Sequence, residues 1–279
     1  VSVSKTKSPL SGLKIGILGA GNMGTAIVRG LVEKSVYPQN ISVYDLDAKK
    51  VAAMRKVANV RAAKSARQCV SLADVLILAM KPQNLQEAVI DVASSLDPQA
   101  LVISIAAGVP IAKIESYFKK PVCLVRAMPN MPALVGSGMS AYSAGKRATG
   151  KQKKIAEAVL GSFGEVTEVP ERLLDLVTAI SGSGPAYFFL LAEKMIEAAY
   201  EQGMKVDVAK KLVYQTAFGS GRVLAEGGED PEVLIERVAS KGGTTEAALK
   251  VFKRMGFGKI VQDAVRAAFK RSCELREGK

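Results

Sequence analysis

Lys14–Gly30 reads KIGILGAGNMGTAIVRG, and the first half of the chain is understood from it. Leu13–Leu18 is a short apolar run, long enough for one buried strand. Gly19, Gly21 and Gly24 follow in G-x-G-x-x-G spacing, and Ala26, Ile27, Leu31 and Val32 then recur at helical intervals. Each glycine has a physical task if a dinucleotide lies here. Gly19 allows a tight turn out of the strand, Gly21 lets the backbone approach a pyrophosphate, and Gly24 lets the helix pack close to the strand. The helix N-terminus then offers N–H groups and a partial positive charge to the phosphates. Glycine-rich turns also serve simply to reverse a chain. Here a strand precedes and a helix follows, which is the context a dinucleotide site requires.

Working outward, Ile41–Tyr44 is a second short strand and ends at Asp45. Asp45 comes roughly 20 residues after Gly24, where a dinucleotide fold sets an acid on the adenosine ribose. Such an acid bonds the 2′-hydroxyl of NAD and repels the 2′-phosphate of NADP, although Lys49 and Lys50 are close enough to soften the repulsion. The alternative is structural: Asp45 or Asp47 caps a helix over Ala48–Lys56. Val75–Met80 is an almost continuous apolar run of the kind buried parallel strands show, followed by Lys81-Pro82 and a helix through Ser94. Leu101–Ile105 and Val122–Val125 are further buried strands. Strands alternating with amphipathic helices imply a doubly wound parallel sheet of Rossmann type. Ligands bind such sheets beyond the carboxyl ends of the strands, which gathers Gly19–Gly24, Met80–Pro82, Ala106–Gly108 and Met128–Asn130 around one crevice.

Composition narrows the chemistry. The chain of 279 residues has no histidine, which removes Ser-His-Asp and Cys-His catalysis and the usual Cys/His zinc sites. Cys69, Cys123 and Cys273 are scattered and read as reduced thiols in a cytoplasmic protein; no metal site is expected. The formal net charge of +13 lies mainly in residues 1–150, where it would attract anionic ligands. Dispersed basic residues, 5% aromatics and the lack of a recognised nucleic-acid motif argue against nucleic-acid binding. The polar start VSVSKTKSPLSG lacks a signal-peptide core, and the uncharged stretch Pro98–Ala112 is too short to span a bilayer.

Three segments are expected: a polar tail over 1–12, a dinucleotide-binding domain over 13–170 and a helical substrate and dimerisation domain over 171–279. Lys151–Phe163 reads as a helix and Glu165–Val169 as a last edge strand. Leu173–Ile180, Pro185–Gln202, Val208–Ala225, Pro231–Val238, Thr245–Met255 and Gly258–Glu277 then read as helices. AYFFLLAEKMIEAA (Ala186–Ala199) is apolar on most faces, so it buries against a core or another subunit, and an obligate helical dimer is the simplest account.

Two loops in this half hold more small residues than packing requires. In Ser181–Tyr187, SGSGPAY, Ser183 or Gly184 can cap the helix and Pro185 fits its first turn, but two further small residues suggest close approach by a ligand or another chain. In Ala239–Thr245, ASKGGTT, successive N–H groups at a helix N-terminus with hydroxyls beside them form a natural carboxylate site.

With these motifs the chain resembles the pyrroline-5-carboxylate reductase family from about Leu13 to Arg276. The resemblance rests on GAGNMG (Gly19–Gly24), MKP (Met80–Pro82), SIAAGV (Ser104–Val109), RAMPNMPALV (Arg126–Val135), SGSGPAY and SKGGTT (Ser240–Thr245). It implies reduction of 1-pyrroline-5-carboxylate to L-proline by NADPH or NADH, the last step of proline biosynthesis. It also implies a C-terminal helical domain that interlocks a homodimer, with further assembly to a decamer of five dimers. Carried over by position, Gly19, Gly21, Asn22, Met23 and Gly24 would hold the pyrophosphate. Met80, Lys81, Pro82, Ala106, Ala107, Gly108 and Asn130 would border the nicotinamide, and Asp45 would take the ribose. Gly242, Gly243, Thr244 and Thr245 would receive the cyclic imino acid, Thr245 acting catalytically by anchoring the ring nitrogen or carboxylate, with Ser183 lining the pocket. The chain has Lys241 where the family usually has proline, and Met131 where it usually has threonine.

Two other readings compete. A 3-hydroxyacid dehydrogenase would use a lysine acid/base on the long helix, for which Lys194 is the candidate. A non-enzymatic module that binds NAD(P) and dimerises would leave the second glycine loop unexplained.

Overall fold

In the computed structural model, which describes residues 8–278, eight strands form one sheet. They are β1 (Ile15–Leu18), β2 (Ile41–Tyr44), β3 (Arg61–Ala62), β4 (Val75–Leu78), β5 (Leu101–Ser104), β6 (Cys123–Met128), β7 (Gly138–Ala144) and β8 (Gly164–Glu168). Their order is β3-β2-β1-β4-β5-β6-β7-β8. The order reverses between β1 and β4, the switch point at which such folds bind ligands. Strands β1 to β6 are parallel, with Ile15 opposite both Ile41 and Val75.

The expected parallel sheet is found, with one antiparallel pairing. Strand β7 runs antiparallel to β6, and β8 runs parallel to β7. A parallel neighbour requires a long crossover, whereas an antiparallel one accepts a short return. The return here is a 3₁₀ turn over Met131–Val135, closed by Gly136 at φ +72°. Strand β7, GMSAYSA, is mostly small and hydroxyl residues, so its alternation gave no strand pattern.

Helices α1 (Asn22–Glu33), α2 (Ala48–Ala58), α3 (Ala66–Val70), α4 (Pro82–Val92), α5 (Ile111–Glu115) and α6 (Gly150–Leu160) accompany the strands. Both faces of the central strands are buried. Along β4, Val75 and Ile77 join one apolar cluster with Ile27, Leu31 and Tyr142, while Leu76 and Leu78 join the other with Leu85, Val89 and Leu124. Alternate side chains of one strand feed two cores, which is why β4 reads as an unbroken apolar run.

The chain continues through α7 (Leu174–Val177), α8 (Gly184–Glu201), α9 (Val206–Glu226), α10 (Pro231–Val238), α11 (Thr244–Arg254) and α12 (Phe257–Arg276). The helix expected over Leu173–Ile180 is instead a 3₁₀ turn at Glu171–Leu173, then α7, then a π-turn at Thr178–Gly182. Two compact units result: one holds the residues up to Gly182 and those from Phe269 on, the other Ser183–Ala268. They part twelve residues beyond the expected division at 170/171, because Leu174, Asp175 and Ala179 are buried in the first unit. Of the tail expected over 1–12, residues 1–7 lie outside the described residues; Leu10 packs into the core.

The second unit has a different surface. Phe188, Phe189, Leu190, Tyr214, Phe218 and Ile260 are each more than half exposed in the single chain. Glu171–Glu201, which begins in the first unit, is by length and composition apolar enough to cross a membrane, a property that sequence reading assigned to no segment. Core helices of soluble proteins share that length and composition.

Candidate functional site

The turn after β1 is built as its glycines imply. Gly19 sits at φ +112°, and its N–H donates to Tyr44 O at 2.8 Å, tying the turn to the end of β2. A Cβ on Gly19 would lie 2.6 Å from Ala79 O at the end of β4. A Cβ on Gly24 would collide with Gly19 O. Gly21 is different: nothing lies within 4 Å of where its Cβ would be. Its own chain does not require a glycine there, and the open space lets a ligand rest on the backbone. Helix α1 begins at this point with no side-chain cap and no acidic residue in its first turn, which leaves its mouth for an external anion. The turn therefore fits a dinucleotide pyrophosphate.

Of the two aspartates that sequence offered as helix cap, Asp47 takes the position. Asp47 caps α2, accepting from Lys49 N at 2.9 Å. Asp45 accepts from Ala20 N at 2.7 Å through Oδ2 and from Asp47 N at 2.9 Å through Oδ1. It locks the glycine turn to β2, and its oxygens keep lone pairs that a ribose hydroxyl can use.

The loops after β4, β5 and β6 lie at the carboxyl ends of adjacent parallel strands, as expected. Met80 is half-buried, Lys81 is exposed with extended backbone, and Pro82 opens α4. Ala106 is buried and Ala107 exposed, and Gly108 adopts φ +73°. Asn130 is committed within the chain: its amide donates to Ser181 O at 3.1 Å and its carbonyl accepts from Met139 N at 2.8 Å. It pins the β6–β7 return to the SGSG segment.

In that segment Ser183 takes the N-cap position of α8, half-buried, but its hydroxyl makes no capping bond. The π-turn feeds directly into the helix, so an ordinary cap is not needed. A Cβ on Gly182 would approach Met128 Cε, the flexible end of that side chain, to 2.8 Å.

In the second unit, Gly242 turns at φ +73° and Gly243 is the N-cap of α11, with extended backbone. A Cβ on Gly243 would meet Ser240 Oγ at 2.5 Å. Thr244 is exposed and Thr245 half-buried in the first turn of α11, and Lys241 is exposed. One partner was not foreseen. Glu246 reaches back and accepts from Gly242 N at 2.8 Å, and Lys250 lies 3.2 Å from Glu246. An acid three residues after a helix N-cap is an ordinary capping pattern and could have been read.

Lys194 lies 2.8 Å from Glu197 and 3.7 Å from Glu193, with its side chain 58% exposed. The hydrogen bond to Glu197 raises its pKa above the ordinary lysine value. A lysine held protonated is poorly suited to the proton transfers of a hydroxyacid dehydrogenase. Cys69 donates to Ser42 O at 3.3 Å, and burial pushes its thiol up to about 12, as befits a small core residue. Among the described residues no cluster of His, Cys, Asp or Glu could hold a metal.

Sequence reading missed a buried charge cluster in the first unit. Arg126 on β6 has a side chain 5% exposed and reaches Glu171 at 3.2 Å and Asp175 at 3.8 Å. Asp175, 1% exposed, accepts from Arg276 at 2.6 Å and from Ser272 Oγ at 3.1 Å. The available clue was an arginine interrupting the apolar run VCLVRAM (Val122–Met128).

Residues 171–275 match the family model described as pyrroline-5-carboxylate reductase dimerisation, and residues 14–108 match one described as NADP oxidoreductase, coenzyme F420-dependent. The pyrroline-5-carboxylate reductase of Synechocystis sp. is 38% identical over 94% of this chain and 98% of that protein. Pyrroline-5-carboxylate reductase 1 of Bacillus subtilis is 35% identical over 95% and 90%. Among solved structures, that of a Coxiella burnetii pyrroline-5-carboxylate reductase aligns with TM-score 0.88 and 34% identity, covering 94% of this chain and 98% of that one. The Plasmodium falciparum pyrroline carboxylate reductase with NADP bound aligns with TM-score 0.85 and 29% identity, over 95% and 98%.

Proposed function

The chain belongs to the pyrroline-5-carboxylate reductase family, and on that premise we propose that it reduces 1-pyrroline-5-carboxylate to L-proline with NADPH or NADH, the last step of proline biosynthesis. The observation that supports the reading is the turn at Gly21, where the chain itself leaves the space beside the backbone open to a ligand. When bound, the nicotinamide supplies the hydride.

The residues bind and orient. Gly19, Gly21, Asn22, Met23 and Gly24 cradle the pyrophosphate, and Asp45 receives the ribose. Met80, Lys81, Pro82, Ala106, Ala107 and Gly108 border the nicotinamide, with Asn130 holding the neighbouring return in place. Gly242, Gly243, Thr244 and Thr245 receive the substrate carboxylate and ring nitrogen, and Ser183 lines the pocket. A cyclic imine is readily protonated from water, and its iminium carbon is already electrophilic. Positioning therefore supplies most of the catalysis, in keeping with a chain that has no histidine.

The functional division we adopt is a dinucleotide-binding domain over 13–170 and a substrate and dimerisation domain over 171–279. The apolar faces of α8, α9 and α12 suit a homodimer, and five such dimers a decamer. A cytoplasmic enzyme without membrane or nucleic-acid partners completes the proposal. A steady-state assay with pyrroline-5-carboxylate, run in parallel with NADH and NADPH, tests it. Tight cofactor binding without imine reduction would overturn it.

A further inference from the structure

The buried charge cluster has no task in the scheme above. Its four charged groups come from separate elements of the first unit: Arg126 from β6, Glu171 from the 3₁₀ turn, Asp175 from α7 and Arg276 from the end of α12. Arg126 and Asp175 are buried, while Glu171 and Arg276 are each 35% exposed; burying charge is unfavourable unless it is well paired, and apolar residues of similar volume often serve stability as well. What a paired cluster does offer is a fixed geometry.

That geometry converges on the turn after β5. Glu171 Oε1 accepts both from Arg126, at 3.2 Å, and from Ile111 N, at 2.7 Å. Ile111 is the first residue of α5, three positions after Gly108. From the other side, the backbone of Leu275 and Arg276 packs against Gly108: a Cβ there would lie 3.6 Å from Arg276 N and 3.7 Å from Leu275 C. The end of α12 is in turn held by Asp175, through Arg276 and Ser272. The Gly108 end of the turn is thus flanked from two sides, by Glu171 through Ile111 and by the end of α12.

We propose that the Arg126–Glu171–Asp175–Arg276 cluster positions the Ala106–Gly108 turn, and through it the nicotinamide ring, with Arg276 as the closing member. This rests on the assignment of that turn to the nicotinamide made above. Arg276 is a positioning residue; it need not touch the cofactor.

The test compares two ligands on the full-length protein. NADPH or NADH carries the nicotinamide; ADP-ribose, or its 2′-phosphate, carries only the adenosine and pyrophosphate half. In Arg276→Met the dissociation constant of the whole cofactor should rise by about tenfold or more, with a fall in kcat, as expected for a misplaced reacting group. The fragment should bind within about twofold of wild type. Arg276→Lys, which keeps the charge, should recover part of the loss. Ser272→Ala, a milder change, should shift the same ratio in the same direction and serves if Arg276→Met folds poorly. Equal weakening of both ligands, or of neither, overturns the proposal. The ratio of the two affinities decides without reference to the imine, so failure of the proposed reaction would be seen separately.

Discussion

The two units differ in how completely each satisfies its own apolar surface. In the first, β1, β4 and β5 are buried along their whole length, and alternate side chains fill two cores. In the second, α10 and α11 contain no buried residue, and α8 buries only Gly184. Yet α8 is the more apolar sequence, with Phe188 68% exposed. Apolar sequence makes a core only where a second layer covers it. The first unit folds both layers from one chain; the second leaves its apolar faces uncovered within one chain, and it lies within the segment that matches a dimerisation model. Soluble monomers rarely expose apolar surface on this scale.

The strongest way to break this comparison is to charge the uncovered face. Phe188→Glu combined with Phe218→Glu should raise the dimer dissociation constant by about a thousandfold or more, since two aromatic anchors are lost and two carboxylates face apolar surface. Sedimentation should show monomers, while the first unit keeps its affinity for NAD(P)H. A dimer of unchanged stability would place the interface elsewhere. Next in size is Gly24→Val, which strikes only the first unit. Its Cβ would collide with Gly19 O, so the glycine turn must shift. Overpacking of this kind costs about 1–3 kcal/mol. We expect cofactor affinity to fall by roughly tenfold to a hundredfold, read by titration, with the dimer intact.

How far each unit could be read from sequence follows the same contrast. The strands β1, β2, β4, β5 and β6, which form the two cores, carry their own pattern: Val75–Leu78 is legible because every residue is buried. Strand β7 is not, because Gly138–Ala144 fills its place with small residues and only Tyr142 as a large buried anchor. The glycine turn was legible because backbone geometry demands particular residues there. The Asp175–Arg276 pair was not, because its members stand about 100 residues apart and each alone looks like a surface charge. Glu246 lay within reach of capping rules and was still missed, since the glycines beside it drew the ligand reading.

A smaller effect isolates the substrate loop. Thr245→Ala should lower kcat/KM for the imine by about tenfold, the value of one hydrogen bond to a polar substrate group, while cofactor binding and assembly stay as they are. An unchanged kcat/KM would remove Thr245 from its assigned role.

The smallest effect tests how well sealed the first unit is. Burial pushes the Cys69 thiol from an ordinary value of 9.0 up to about 12. Above pH 9 the unfolded chain releases this proton and the folded chain keeps it, so the native state binds more protons. Stability must then fall as pH rises from about 9 towards 12, by at most about 1.4 kcal/mol per pH unit from this group. Cys69→Ala removes the difference. The variant should start less stable at pH 8, by about 1 kcal/mol for lost packing, and lose less on going to pH 10. Denaturant midpoints at the two pH values, wild type against variant, cancel the other titrating groups. Parallel losses would mean that water reaches Cys69, and that the first unit is less complete by itself than its buried strands imply.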